Sequence, residues 1–251
     1  NFSDKIFAIF KQEAAFYKRR GGNVSWVGHP MIDLTKKIPS KKVSRKILKL
    51  RKNENILLLM PASRPQELKY ILPTFLKTAK KLQLRYPSLV VYIPSCRRVF
   101  NERFRRGLEE YGIKGKVIYQ EDNSALNPYI YSLTKLALCK SGTVNMELAL
   151  YGIPQIVGYR VSRVTAFIAK NILNFKVRFI SPVNLLVKRS IIPEFVQKNF
   201  NEKKIFYKAC RLLDLTSEKA KIKKGYTLLK KELGEEGVVD RAAKEIINSI
   251  I

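Results

Sequence analysis

Two short segments combine residue types suited to an anionic nucleotide. The first, residues 61–67, reads Pro-Ala-Ser-Arg-Pro-Gln-Glu. A serine followed by a first-turn proline and an acidic residue signals a helix start, with Ser63 as cap, Pro65 in the first turn and Glu67 adding favourable charge. Such a start offers unpaired N–H donors, and Arg64 adds a planar fork of further donors. Together they suit a diphosphate. The second segment is Ser141-Gly142-Thr143, continuing Val144-Asn145-Met146-Glu147. Small hydroxyl residues around a glycine let the backbone approach a ligand closely. Glu147, about one turn into the next helix, can accept hydrogen bonds from two adjacent ribose hydroxyls. Neither segment carries the glycine pattern of a dinucleotide site or the Gly-Lys-Ser/Thr of a P-loop, which weakens dehydrogenase, kinase and ATPase readings. A third group, Tyr159, Arg160, Asn184 and Gln197, could offer hydrogen bonds to sugar or phosphate oxygens. Each group also has an ordinary reading: a capped helix with a solvated arginine, a plain strand–helix turn, or turn-forming and exposed amides.

Positioning these loops requires a regular scaffold, and the pattern supplies one. Residues 55–60 (NILLLM) form a continuous apolar run, as expected of a strand covered on both faces. Residues 65–85 follow with helical spacing of Leu68, Ile71, Leu72, Phe75, Leu76 and Ala79, and Pro73 as a kink. Strands are then expected at 89–93, 117–119, 136–139 and 155–159, alternating with helices at 101–111, 128–135, 144–151 and 162–173. Five strands alternating with helices predict an α/β, Rossmann-like doubly wound parallel sheet. Ligands of such sheets bind beyond the carboxyl ends of the strands, where the loops just named fall. Before this region lie short strands at 6–10 and 25–27 around a helix at 12–20, a basic connector at 35–44 and a basic helix at 45–52. The expected organisation is 1–34 as the end of a preceding domain, 35–54 as linker and short helix, 55–200 as the nucleotide-binding domain, and 201–251 as C-terminal helices.

Composition narrows the class. The 251 residues are 46% hydrophobic, ample for a core, yet 49 Lys and Arg stand against 20 Asp and Glu, a formal charge of +29. That excess favours anionic partners, whether nucleic acid, phospholipid or phosphorylated substrate, although it also simply solvates a surface. The three cysteines, Cys96, Cys139 and Cys210, lack metal-ligand spacing, and reduced thiols are the default. The single histidine, His29, sits between Gly28 and Pro30, so turn punctuation rather than base catalysis is expected of it. No run reaches the roughly 18 apolar residues of a membrane span. The chain begins at Asn1, not Met, without a signal-peptide core.

Taken in order, the motifs resemble the lipid-A-disaccharide synthases. They are Phe10-Lys11-Gln12-Glu13-Ala14-Ala15-Phe16-Tyr17, Gly28-His29-Pro30 with Asp33, 61–67, Ser141-Gly142-Thr143 with Glu147, Pro154, Gly158-Tyr159-Arg160, Asn184-Leu185-Leu186 and 193–197. The resemblance runs from about Ile6 to about Gln197 and more loosely into the tail. Departures are Ala62 in place of the usual glycine, Val183 in place of a proline, and Pro65 at a variable position.

This resemblance implies a two-domain GT-B glycosyltransferase whose C-terminal nucleotide-sugar-binding portion is this chain, with the N-terminal domain largely missing. It implies transfer of 2,3-diacylglucosamine from UDP-2,3-diacylglucosamine to 2,3-diacylglucosamine 1-phosphate, releasing UDP, with no cofactor and no catalytic metal. Ser63, Arg64, Ser141, Gly142, Thr143 and Glu147 would hold UDP. Tyr159, Arg160, Asn184 and Gln197 would position sugar or phosphate, and the general base would lie before Asn1. The implied setting is the cytoplasmic face of a bacterial inner membrane, bound peripherally to its anionic surface, or an organelle in a plant; a homodimer stays open. Residues 162–178, interleaving Phe167, Ile168, Ile172, Leu173 and Phe175 with basic side chains, are a candidate interfacial helix, or an ordinary sheet-covering one. The competing readings are another UDP-sugar GT-B enzyme and a basic nucleic-acid-binding protein. Against the second stands the lack of a reading module or stacking platform, so nucleic acid is not the expected partner.

Overall fold

In the computed structural model, residues 4–35, 38–61, 64–95, 97–119, 124–162, 165 and 178–249 are described. Strands β1 (Ile6–Ala8) and β2 (Val24–Trp26) pair in parallel across helix α1 (Lys11–Lys18). Helix α2 (Lys41–Leu48) starts four residues earlier than the basic pattern suggests. The cause is Ser40, whose hydroxyl accepts the Val43 N–H at 3.3 Å. A left-handed Lys49 then ends the helix.

The regular alternation follows. It comprises β3 (Asn55–Met60), α3 (Pro65–Arg85), β4 (Leu89–Ser95), α4 (Arg98–Glu110), β5 (Gly115–Tyr119), α5 (Asn127–Leu133), β6 (Thr134–Lys140), α6 (Val144–Leu150) and β7 (Gln155–Tyr159). Then come α7 (Pro182–Val187), β8 (Glu194–Val196) and three helices, α8 (Glu202–Asp214), α9 (Thr216–Leu233) and α10 (Val238–Ile247). The larger sheet has order β5-β4-β3-β6-β7-β8, parallel at every pairing. It is the expected α/β doubly wound architecture with one strand more than the pattern revealed. β8 is three residues long and begins with a glutamate, so it has no apolar run to announce it. The expected helix at 162–173, and with it the interfacial candidate at 162–178, falls mostly outside the described residues.

The strand order reverses between β3 and β6, the two innermost strands. Ile56 to Leu59 and Leu136 to Cys139 are entirely buried, because helices cover both faces. On one face lies α3, whose Leu68, Ile71, Leu72, Phe75, Leu76, Ala79 and Leu82 recur at helical spacing and are all buried. Phe200 enters the same layer just before α8, edge-on to Phe75 with ring centroids 5.3 Å apart. Gly158 on β7 leaves room for it: a Cβ there would stand 2.1 Å from a Phe200 ring carbon. Phe200 is fully buried and cannot swing clear.

The last helix does not stay with this sheet. Asp33 reaches across the chain to α10, its two carboxylate oxygens accepting the N–H groups of Gly237 at 2.7 Å and Val239 at 2.9 Å. These bonds hold the carboxyl below its usual range, the Val239 N–H first among the causes. Arg241 donates to the Val27 carbonyl, Glu245 pairs with Lys5 and accepts from Ser25, and the Leu233 carbonyl accepts the His29 N–H. His29 Nδ1 accepts the Met31 N–H at 3.2 Å, its ring lies against Phe10, and burial lowers its pKa. The histidine is a neutral turn cap.

Gly158→Ala should destabilise the chain by about 1–3 kcal/mol, the scale of overpacking in a closed core, read as a lower urea midpoint; an unchanged midpoint would mean the Phe200 layer yields freely. Asp33→Ala should cost about 1 kcal/mol as the loss of a helix cap and speed amide exchange in α10. Because the folded pKa is depressed, the contribution is complete above the unfolded value of about 4 and disappears as pH falls through the lowered one. Equal acid sensitivity in wild type and variant would contradict the capping role.

Candidate functional site

The two central strands end at the same level, Met60 opposite Cys139, so the loops that follow them emerge side by side. From β3 the chain enters the loop leading to α3. Arg64, exposed, occupies the N-cap of that helix, with Pro65 first inside it and no side-chain capping bond. The expected cap, Ser63, is displaced by one residue, since the helix begins directly after Arg64. Ser63 itself, like the departing Ala62, lies outside the described residues. Arg64 therefore stands where the unpaired N–H groups of α3 begin. Glu67 is in the first turn as expected, but buried, and it accepts a 2.8 Å ion pair from Lys140 at the end of β6.

From β6 the chain enters Ser141-Gly142-Thr143, and a small network fixes that turn. Asn145, fully buried, accepts the Gly142 N–H on its Oδ1 at 2.9 Å, and its Nδ2 donates to the Lys140 carbonyl and to Gln155 Oε1, each at 3.1 Å. Gln155 Nε2 donates to the Asn145 carbonyl and to the Tyr226 hydroxyl of α9, which itself donates to the Ile153 carbonyl. Cys139 lies within the network, where burial pushes its thiol up to about 12. Ser141 donates to the Ile180 carbonyl, tying the turn to the segment before α7, while Thr143 is exposed at the N-cap of α6. Glu147 is half-buried one turn further, accepting the Tyr131 hydroxyl on Oε1 at 3.0 Å. Burial raises its pKa, and the Tyr131 bond works in the opposite direction.

The third group divides. Tyr159 ends β7 opposite Val196, and Arg160 follows it, donating to the carbonyls of Gln197 and Phe200 and lying over the Phe200 ring at 5.3 Å. Gln197 is half-buried at φ +51, a left-handed conformation uncommon for a residue with a side chain. These three come together past the carboxyl ends of β7 and β8. Asn184 is different. It is fully buried, its Nδ2 donating to the Ile192 carbonyl and Glu194 Oε1, its Oδ1 accepting the N–H groups of Ile191 and Ile192. All its polar capacity is used within the chain, so in this structure it fastens α7 to β8 rather than presenting an amide to a ligand. Glu194 completes that clasp, accepting from the Ile180 and Ser181 N–H groups and the Ser181 hydroxyl. Sequence reasoning placed Lys140 and Glu194 within the candidate loops without giving them a role, and missed Tyr131, Gln155 and Tyr226 as parts of the site's frame. A glutamine opening an otherwise apolar strand, as Gln155 opens β7, was the one usable signal.

Comparison with known proteins places this geometry. The family model for LpxB, lipid-A-disaccharide synthetase, matches residues 1–250. The lipid-A-disaccharide synthase of Prochlorococcus marinus is 44% identical over 248 residues, 99% of this chain and 63% of that protein. The chain thus spans somewhat less than two thirds of the length of the curated relatives it matches. Among solved structures, the S. aureus MnaA–UDP co-structure superposes with a TM-score of 0.71 at 16% identity, covering 99% of this chain and 61% of that one. The C-terminal domain of a glycosyl transferase group 1 family protein from Francisella tularensis gives 0.53 at 14% identity, covering 80% of this chain and 96% of the other. These two likenesses bear on the fold, that of GT-B C-terminal domains. With a family model matched from end to end and close relatives that carry one name, the chain belongs to the lipid-A-disaccharide synthetase family.

Proposed function

We propose that this chain is the nucleotide-sugar-binding portion of a hexosyltransferase that moves 2,3-diacylglucosamine from UDP to 2,3-diacylglucosamine 1-phosphate. The observation that carries the reading is the adjacency of two loops at the point where strand order reverses. One starts a long helix behind Arg64, and the other is a buried-anchored Ser-Gly-Thr turn leading to Glu147. Arg64 and the start of α3 would meet the diphosphate. The backbone at Gly142 would allow close approach, with Ser141 and Thr143 beside it, and Glu147 would accept from the ribose hydroxyls. Tyr159, Arg160 and Gln197 would line the sugar side, with Asn184 holding the adjacent turn.

In the reaction the bond from the sugar's C1 to the UDP oxygen breaks and one from C1 to the acceptor's 6-hydroxyl oxygen forms. The hydroxyl proton passes to a base. Within this chain Asp33 and Glu13 are the acids that first invite that role, and Asp33 is occupied as a cap, both of its carboxylate oxygens accepting backbone N–H groups. The resemblance to the lipid-A-disaccharide synthases favours a base on the acceptor-binding part of the enzyme, ahead of the described residues. Acylated, anionic substrates and a charge of +29 favour work at an anionic membrane surface, on its cytoplasmic side. Among the described residues no helix is long and apolar enough to cross a membrane.

UDP titrated calorimetrically into the purified chain tests the reading; no heat at millimolar nucleotide would remove it. Arg64→Ala should weaken UDP by about 1.5–3 kcal/mol, the scale of a charge-assisted hydrogen bond, while an unchanged dissociation constant would leave Arg64 merely solvated. Glu147→Gln should cost UDP more than its 2'-deoxy analogue. The pKa of Glu147 is raised, so UDP affinity of the wild type should fall on acidification at a higher pH than for an ordinary carboxylate. The variant should lack that step; a persistent step would assign it elsewhere.

A further inference from the structure

The ion pair beneath the two loops is poorly explained as a fastening. Lys140 Nζ and Glu67 Oε2 are 2.8 Å apart, with side chains only 17% and 10% exposed. Withdrawing both charges from water costs about what their attraction returns, and an apolar pair of similar volume would hold the same elements at least as well. The lysine is also on the unfavourable side of a dipole, because Glu67 stands in the first turn of α3, where a helix repels cations.

The place of the ammonium explains what the energetics do not. Lys140 ends β6 immediately before Ser141-Gly142-Thr143, and its stem runs beneath that turn: a Cβ on Gly142 would lie 3.7 Å from Lys140 Cε. Its head meets an acid three residues beyond Arg64. A positive charge is thus set into the floor between the two loops, beside the start of α3, and the bond to Glu67 takes only one of its three donors.

We propose that Lys140 is a phosphate-contacting residue for the nucleoside diphosphate, and that Glu67 is the internal counter-ion with which the diphosphate competes. The assignment rests on the nucleotide reading of the two loops. The ammonium keeps its partner and turns its remaining donors to a phosphate oxygen, so Glu67 limits how much of the charge the ligand receives. A fastening and a phosphate contact then differ in sign. Breaking a fastening at either end has the same effect, whereas removing the counter-ion of a phosphate-binding lysine leaves more charge for the ligand.

Calorimetric titration of UDP and of uridine into wild type, Lys140→Met and Glu67→Gln separates the cases, with thermal unfolding of each recorded. Lys140→Met is expected to weaken UDP about tenfold or more, as for loss of a charge-assisted hydrogen bond, to leave uridine unchanged, and to flatten the salt dependence of UDP binding. Glu67→Gln is expected to hold UDP as tightly as wild type or several-fold more tightly. Equal losses of UDP affinity in the two variants would overturn the proposal in favour of a fastening, as would parallel losses of UDP and uridine. If Lys140→Met does not fold, a loss of UDP affinity in Glu67→Gln alone would overturn it. UDP binding that survives Lys140→Met unchanged refutes this assignment only, whereas a wild type that binds no UDP refutes the nucleotide reading and this one with it.

Discussion

Between Ile56 and Leu59 on β3, and between Leu136 and Cys139 on β6, no side chain reaches water. That constraint governs the molecule. Strands enclosed on both faces can carry almost nothing polar along their length, so every group able to meet a ligand is pushed to their ends. Because strand order reverses between these two, the loops leaving them turn toward opposite faces and open a crevice instead of closing over one another. Arg64 and Ser141 to Glu147 owe their neighbourhood to this arrangement of apolar strands.

A crevice made by loops is only as well defined as the anchors beneath it, and here the anchors are buried amides. Asn145 and Gln155 bind the Ser-Gly-Thr turn to β7 and, through the Tyr226 hydroxyl, to α9. Asn184 does the same for the turn from α7 to β8, with Glu194 as its second half. Buried polar networks with every partner in place specify one geometry more sharply than apolar contacts do, since each displaced bond leaves an unsatisfied group in a dry interior. The half-buried Glu147, held by Tyr131, belongs to the same design.

What the sequence revealed and what it concealed follow from range. The limits of β3, α3 and β7 were legible to the residue, because each is bounded by its own chemistry: apolar runs ending at polar residues, or a proline opening a long periodic helix. Helix α2 was misplaced because one serine, Ser40, outweighed the basic pattern following it. β8 was hidden by its length and by Glu194, which reads as a loop residue until its hydrogen-bond partners at 180, 181 and 184 are in place. Asn184 shows the limit most clearly. An amide on a short turn reads the same whether it faces a ligand or the protein, and only the fold decides. The Lys140–Glu67 pair joins residues 73 apart in sequence, beyond any local pattern.

The return of α10 to the opening residues has a mechanical consequence. The chain leaves β1, β2 and their turn after Thr35, builds the six-stranded sheet, and comes back at Gly234, where the Leu233 carbonyl meets His29 and Asp33 grips the amides of the next helix. Two bodies joined by a single tether can tumble about every axis. Joined by two, they keep chiefly the rotation about the line through both crossings, like a door on a pair of pins. Gly234 at φ +100 and Gly237 at φ +84 sit at the second pin, in backbone conformations that a side chain would resist.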